Sequence, residues 1–232
     1  MRNLIHFDRS TLKNVLIIAL VLACLCFPNL VAADDRLDAI TKQVDQHYNR
    51  LNSLQAEFTE TYRGAGMFRS ESGTLILKRP GRMRWEYEQP RKKLFIVNRA
   101  TAWFYVPGDR QARKVSVKTM DDLRTPLAYL LGKTKLQKEF EGLSLAPDIA
   151  PINPGNIVLR GIPKRMGERV SQVILEVTPG GAIERIFAEE LDGSTTEFRF
   201  RNQKANVPVL ESRFAFSLPP GVEVIKANEL AQ

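Results

Sequence analysis

Catalysis by this chain would have to run through very few side chains. It has two histidines and two cysteines. His6, Cys24 and Cys26 all fall in the first 26 residues, which leaves His47 as the only imidazole beyond them. A serine–histidine–acid relay or a multi-histidine metal centre would depend on it. It sits beside Tyr48 in an expected helix, where a solvated surface histidine is the ordinary reading. The acid pairs Asp121-Asp122 and Glu189-Glu190 are sequence neighbours. Adjacent side chains on a strand or helix diverge, so neither pair forms a shared acid–base site. Gly64-Ala65-Gly66 has no Gly-Lys-Ser/Thr after it and reads as a turn, not a phosphate loop. There is no Gly-x-Ser-x-Gly nucleophile elbow. The expectation is a non-enzyme with no catalytic residue, no metal and no cofactor.

The residue with binding chemistry is Arg79. In 73–87 two alternating apolar and polar runs flank Pro80-Gly81, which reads as a hairpin. Side chains two apart share a face, so Leu75, Leu77 and Arg79 lie on one side of the first strand. Met83, Trp85 and Tyr87 share one face of the second, opposite Arg82, Arg84, Glu86 and Glu88. An arginine ending an apolar row must either find acceptors for its five donors or snorkel to water.

The elements around this hairpin carry signals of their own. Asp34-Asp35 opens a helix with Leu37, Ile40, Val44, Tyr48 and Leu51 at helical spacing. Strands are expected at 54–59, 94–97, 102–106 and 112–117, too closely spaced for βαβ units. A short helix at 121–132 carries Leu123, Leu127, Leu130 and Leu131 on one face, with Gly132 at its end. Residues 143–156 read as loop. Strands resume at 157–160, 171–177, 182–191 and 195–201, with Gly180-Gly181 and Asp192-Gly193 as hairpin turns. A last strand is expected at 213–218. About ten strands with one apolar face must cover that face or close on themselves. This predicts an α+β, mainly antiparallel β fold: an incomplete, half-open β-barrel with helices covering its concave apolar face. Phe58, Leu75, Leu77, Met83, Trp85, Phe198, Phe200, Phe214 and Phe216 are the candidates lining that face. The residues alone leave open whether it is a packed core or a cavity.

The ordered set Gly73, Leu75, Lys78-Arg79-Pro80, Trp85, Pro90, Trp103-Phe104-Tyr105-Val106-Pro107 and Gln111 resembles the LolA family of periplasmic lipoprotein carriers. So do Thr125-Pro126-Leu127 and the ending Phe214-x-Phe216-x-x-Pro219-Pro220-x-Val222. The resemblance runs from about Leu54 to Val224. It implies a cavity for the acyl chains of lipoproteins, a lid formed by the 121–132 helix, and an Arg79 that bonds lid carbonyls and holds the empty cavity shut. It also implies a monomer that takes acylated lipoproteins from an inner-membrane lipoprotein-releasing ABC transporter complex to an outer-membrane lipoprotein acceptor. The alternative is a membrane-anchored acceptor or a lipid-sensing regulator of the same fold.

Arg2, Arg9 and Lys13 precede an apolar run at 14–27 that is short for a membrane span, and Val31-Ala32-Ala33 offers small residues for cleavage. Residues 1–33 therefore read as a cleaved signal peptide, and 34–232 as a single domain placed in the periplasm. Cleavage would remove three basic residues and Asp8, taking the net charge from +8 to +6. It would also leave no cysteine for a disulfide or a thiol nucleophile. Arg82, Arg84, Arg91, Lys92 and Lys93, with Arg110, Arg113 and Lys114, form a basic cluster. It reads as a solvated face, or as one that steers docking to an acidic partner. Nucleic acid is not expected, because the aromatics among these residues point inward by parity.

Val21-Leu22-Ala23-Cys24 is the competing N-terminal signal, a lipidation site at Cys24. Intact mass of the protein from a Gram-negative host is expected to match a chain beginning at Asp34. A mass that retains an acylated Cys24 would replace the signal-peptide reading with an anchored one.

Overall fold

The computed structural model describes residues 29–119, 135–164 and 166–226. The chain divides into two compact units, residues 1–39 and 40–232. The first ends inside helix α1, Asn29–Asn49, which starts ahead of Asp34-Asp35 because no glycine or proline lies between Asn29 and those acids.

The second unit is built on one twelve-stranded sheet. The strands are β1 Ser53–Gly64, β2 Met67–Lys78, β3 Arg82–Gln89, β4 Lys93–Asn98, β5 Thr101–Tyr105 and β6 Gln111–Ser116. After a helical turn α2, Leu136–Glu139, come β7 Phe140–Leu145, β8 Ile157–Pro163, β9 Val170–Val177, β10 Ile183–Glu190, β11 Thr195–Ala205 and β12 Glu223–Lys226. The spatial order is β12-β6-β5-β4-β3-β2-β1-β11-β10-β9-β8-β7, so β12 and β7 are edges and the sheet is not closed into a barrel. Among the described residues, every pairing is antiparallel except β12 with β6. The two meanders read from the sequence meet where β1 pairs with β11.

The expected hairpin is in place. Leu75 pairs with Trp85 and Leu77 with Met83 across β2 and β3, and the chain turns at Gly81, whose φ is +61°. Leu75, Leu77, Met83, Trp85 and Tyr87 are all buried on one face, the inner face. Three expectations need correction. Residues 143–156 are not all loop, since β7 runs to Leu145 and pairs with β8. β12 was not expected, being only four residues long. The strand expected at 213–218 is absent. Glu211–Phe214 is a 3₁₀ turn, and the residues after it lie over the sheet without joining it. Alternation at Phe214 and Phe216 mimics a strand because both rings pack down onto one surface.

The outer face is covered in two places. Phe214 packs with Ile76 and Ile96, and Leu94, Val209 and Phe216 join them. Ala146 packs with Val158 and Ile174 under a loop that includes Ile149. Glu176 holds that second cover. Its carboxylate accepts the Ile152 and Asn153 N–H groups at 2.9 and 2.8 Å and the Asn156 side-chain amide at 2.9 Å. Burial by itself would raise its pKa. The hydrogen bonds from Asn153, Ile152 and Asn156, with the charge of Arg185, outweigh burial and hold it below the ordinary glutamate value.

A depressed folded pKa sets the sign of the pH effect. The stabilisation is complete above the ordinary value of 4.5 and is lost as pH falls through the lower folded value. Glu176→Gln is expected to cost about 1.5–3 kcal/mol at neutral pH by urea unfolding. The gap to wild type should narrow in acid. A gap independent of pH would mean that the charge is not what holds the loop.

Candidate functional site

The inner face is a continuous apolar surface with charged groups at both ends. Strand period two and the register put its side chains together. Phe58 on β1 faces Phe200 on β11 and Gly73 on β2. Phe58 sits edge-on to Trp85 at 4.5 Å and to Tyr87 at 4.9 Å between ring centroids. Trp85 lies 5.4 Å from Phe198 and 6.2 Å from Phe200. Its indole N–H donates to Met83 Sδ at 2.8 Å. Edge-to-face and tilted pairs at these spacings are favourable beyond the area they bury. The row continues through Phe95, which pairs with Trp85 across β3 and β4 and lies 4.5 Å from Phe104.

Seven of the nine expected lining residues therefore come together: Phe58, Leu75, Leu77, Met83, Trp85, Phe198 and Phe200. Phe214 and Phe216 do not. They lie on the opposite face, Phe214 against Ile76 and Phe216 against Trp103 and Tyr105. Phe95 was missed because Leu94, Phe95, Ile96 and Val97 are all apolar, and a run without alternation does not say which of them face inward.

The end of α1 covers part of this face. Ile40, Val44 and Tyr48 are buried at helical spacing. Tyr48 Oη accepts the Ile183 N–H at 2.9 Å, and Asp45 Oδ1 accepts the Leu136 N–H at 2.8 Å. The helix crosses close over the β9–β10 turn, where a Cβ on Gly181 would stand 2.4 Å from the Gln43 carbonyl oxygen. Among the described residues, Tyr48, Leu54, Leu75, Leu77, Ile183 and Phe200 leave a gap of only about 10 Å³ between them. The covered face is packed here rather than hollow.

Arg79 is where the helix ends. Its Nη2 donates to the Tyr48 carbonyl at 2.6 Å and its Nη1 to the Asn49 carbonyl at 3.0 Å. Its own N–H donates to the Asn52 carbonyl at 2.9 Å. The last carbonyls of a helix have no intrahelical donors and carry partial negative charge, so a guanidinium fork suits them twice over. Burial pushes the guanidinium below its usual pKa. The Tyr48 and Asn49 carbonyls belong to α1, not to the 121–132 helix whose carbonyls Arg79 was expected to bond. Leu123, Leu127, Leu130 and Leu131, expected as a lid, lie outside the described residues, as do Asp121-Asp122 and Cys24.

The other end of the face carries a charged cluster that sequence reasoning passed over. Tyr87 Oη donates to Glu60 Oε2 at 2.5 Å, and Lys93 Nζ to Glu71 Oε2 at 2.5 Å. Arg69 Nε lies 3.2 Å from Glu71 and Lys93 lies over the Tyr87 ring. The signal was present: Glu60 shares parity with Phe58, as Arg79 does with Leu77.

Three of the eight basic residues read as a solvated face are otherwise engaged. Lys93 turns inward, Arg82 is buried beside Glu211 at 2.9 Å, and Arg84 binds Glu86. His47 is half-buried, not solvated; burial lowers its pKa, and its Nε2 has no hydrogen-bond partner among the described residues. Glu189 and Glu190 take separate partners, Gln172 and Arg169.

The family model described as outer membrane lipoprotein carrier protein LolA matches residues 49–217. An outer-membrane lipoprotein carrier protein of Nitrosomonas europaea is 25% identical over 215 residues, covering 91% of this chain and 98% of its own length. Another, from Sodalis glossinidius, is 28% identical over 212 residues, covering 88% and 95%. Among solved structures, a LolA superfamily protein from Nitrosomonas europaea aligns at 12% identity over 77% of this chain and 97% of its own, with a TM-score of 0.44.

Gly73 is the position where the aromatic stack and the sheet backbone meet. A Cβ there would stand 1.9 Å from the Glu86 carbonyl oxygen. Gly73→Ala is expected to cost about 3 kcal/mol by urea unfolding, since backbone has to move to admit the methyl group. Thr74→Ala, next in the strand, serves as control. Equal midpoints for the two variants would show that β2 and β3 part at little cost.

Proposed function

Because the chain belongs to the outer membrane lipoprotein carrier family, we propose that it binds the acyl chains of lipoproteins on its inner face and carries them across the periplasm. The donor is an inner-membrane release complex and the recipient an outer-membrane acceptor. The observation that carries this reading is Arg79, a guanidinium closing a helix end over an apolar surface through two backbone carbonyls. The same contact caps a helix end in any fold; in a carrier it is also a short set of bonds that can be released when the cover leaves.

Energetics support a latch of this kind. Burying an acyl chain is worth about 0.8 kcal/mol per CH₂. Several long chains would then exceed the roughly 18–21 kcal/mol at which non-covalent affinity saturates. A carrier held that tightly to its cargo would never release it. A closed empty state that satisfies its own carbonyls competes with cargo and lowers net affinity. With only about 10 Å³ left under the helix, chains enter by displacing the cover. Charge at both ends of the face, Arg79 and the Glu60–Tyr87 cluster, marks where apolar cargo stops.

A second reading, an anchored acceptor of the same fold, draws on Met67 and Phe68 at the β1–β2 tip, 62% and 60% exposed. An apolar hairpin tip suits a protein that works at a membrane surface.

Arg79→Leu is expected to fold, to take up cargo and to release it at least tenfold more slowly, since each charge-assisted bond is worth about 1.5–3 kcal/mol. Arg79→Lys should fall between, because an ammonium lacks the planar fork. The measurement is the off-rate of a fluorescent triacylated lipopeptide, with folding checked by circular dichroism. Faster release from folded Arg79→Leu would mean that the arginine grips cargo and not the cover.

A further inference from the structure

The outer face carries an open groove of about 360 Å³ between β3–β5 and the segment 212–219. That is within the size range of ligand sites. None of its lining residues belongs to the inner aromatic row. Leu94, Tyr105 and Phe216 supply the apolar surface, and Phe216 is braced 4.7 Å from Trp103 and 5.6 Å from Tyr105.

One wall is cationic. Arg84 binds Glu86 Oε1 through Nε and Nη2 at 2.7 and 2.6 Å, and spends Nη1 on the Arg213 carbonyl at 2.8 Å. Arg213 Nη2 binds the other oxygen of Glu86 at 2.7 Å. Two guanidiniums on one carboxylate leave a net positive charge. Arg84 is largely buried and its fork is committed, whereas the Arg213 side chain is 45% exposed. Arg213 is therefore the cation that a newcomer meets. Lys114, over the Trp103 ring, and the exposed Arg110 extend the basic surface beyond the groove.

The other wall is extended chain. Residues 215–219 belong to no strand, and the N–H and C=O groups of Phe216, Ser217 and Leu218 pair with no other backbone group among the described residues. Unpaired extended backbone beside an apolar floor is a template for another extended chain.

We propose that this groove receives an extended, acidic segment of a partner protein. The segment adds main-chain hydrogen bonds along 216–218, seats an apolar side chain on Tyr105 and Phe216, and sets a carboxylate on Arg213. Charge complementarity selects an acidic segment over a basic one or a neutral lipid tail. The site is on the face opposite the proposed cargo surface, so a docked partner leaves the cover of that surface untouched. The inference does not depend on what the inner face carries.

The test uses three fluorescein-labelled octapeptides and the full exported chain. One peptide sets two phenylalanines among aspartates, one sets them among lysines, and one sets alanines among aspartates. The Phe–Asp peptide is expected to bind at least tenfold tighter than the other two by anisotropy. Arg213→Gln, which leaves Glu86 with Arg84, should weaken it about tenfold. Ala215→Trp, an exposed lining position, should block it. Both variants should take up the triacylated lipopeptide as wild type does. Three results would overturn the proposal: no binding of the Phe–Asp peptide at millimolar protein, equal binding of the Phe–Lys peptide, or binding that survives Ala215→Trp. Loss of lipopeptide uptake by wild type with peptide binding intact would instead sink the carrier reading and leave this one standing.

Discussion

Two hydrogen bonds from Arg79 to the carbonyls of Tyr48 and Asn49 tie the end of a helix to the end of a strand pair. Much of the inner face depends on that attachment. An open sheet has two edges and an apolar face that nothing in the sheet itself can hide. A helix end laid across part of it hides Leu54, Leu75, Leu77 and Phe200, but only while the helix stays put. Burial of Ile40, Val44 and Tyr48 supplies the non-directional attraction. Arg79, Asp45 and the Tyr48 hydroxyl supply the directional bonds that choose one position among many. Those bonds are few and lie at the rim of the apolar face.

The outer face shows the opposite solution. Its covers are chain segments fastened by carboxylates and guanidiniums. Glu176 gathers three donors from the 152–156 loop. Lys78 and Arg82 converge on Glu211, and Arg84 and Arg213 on Glu86. Lys78 also bonds the Val209 carbonyl at 2.6 Å. Glu176 is fully buried, so removing one of its donors strands the carboxylate; Glu211 and Arg213 are 60% and 45% exposed, and their pairs add direction more than energy. One face of the sheet is thus covered by segments packed on apolar clusters and tied by polar bonds, and the other by a helix end tied at its last carbonyls. That asymmetry is what the proposed carrier role requires, a face that opens on a sheet that stays folded.

The sequence by itself determined more of the fold than of the site. Alternation at 73–87, the Pro80-Gly81 turn and the Gly-rich turns fixed the hairpins and the face each residue shares. Those are local matters: a two-residue period and a turn that only certain residues tolerate. The same parity singled out Arg79 as a charge on an apolar row, and would have singled out Glu60. Which carbonyls Arg79 reaches is another matter. Tyr48 and Asn49 lie about thirty residues earlier, and only the packing of α1 brings them within a guanidinium's reach.

Tertiary structure alone decided the rest. Phe214 and Phe216 alternate as a strand would, yet they crown the outer face, because periodicity reports that two side chains share a surface and not which surface. Arg82 and Arg84 read as solvated cations until the 209–219 segment folds over them. Nothing in their spacing announces a carboxylate at Glu211, more than a hundred residues away. Whether the aromatic row is core or cavity is likewise not written in residue type, since the same side chains serve both. It turns on how closely a second element approaches, which long-range contacts set and local sequence does not.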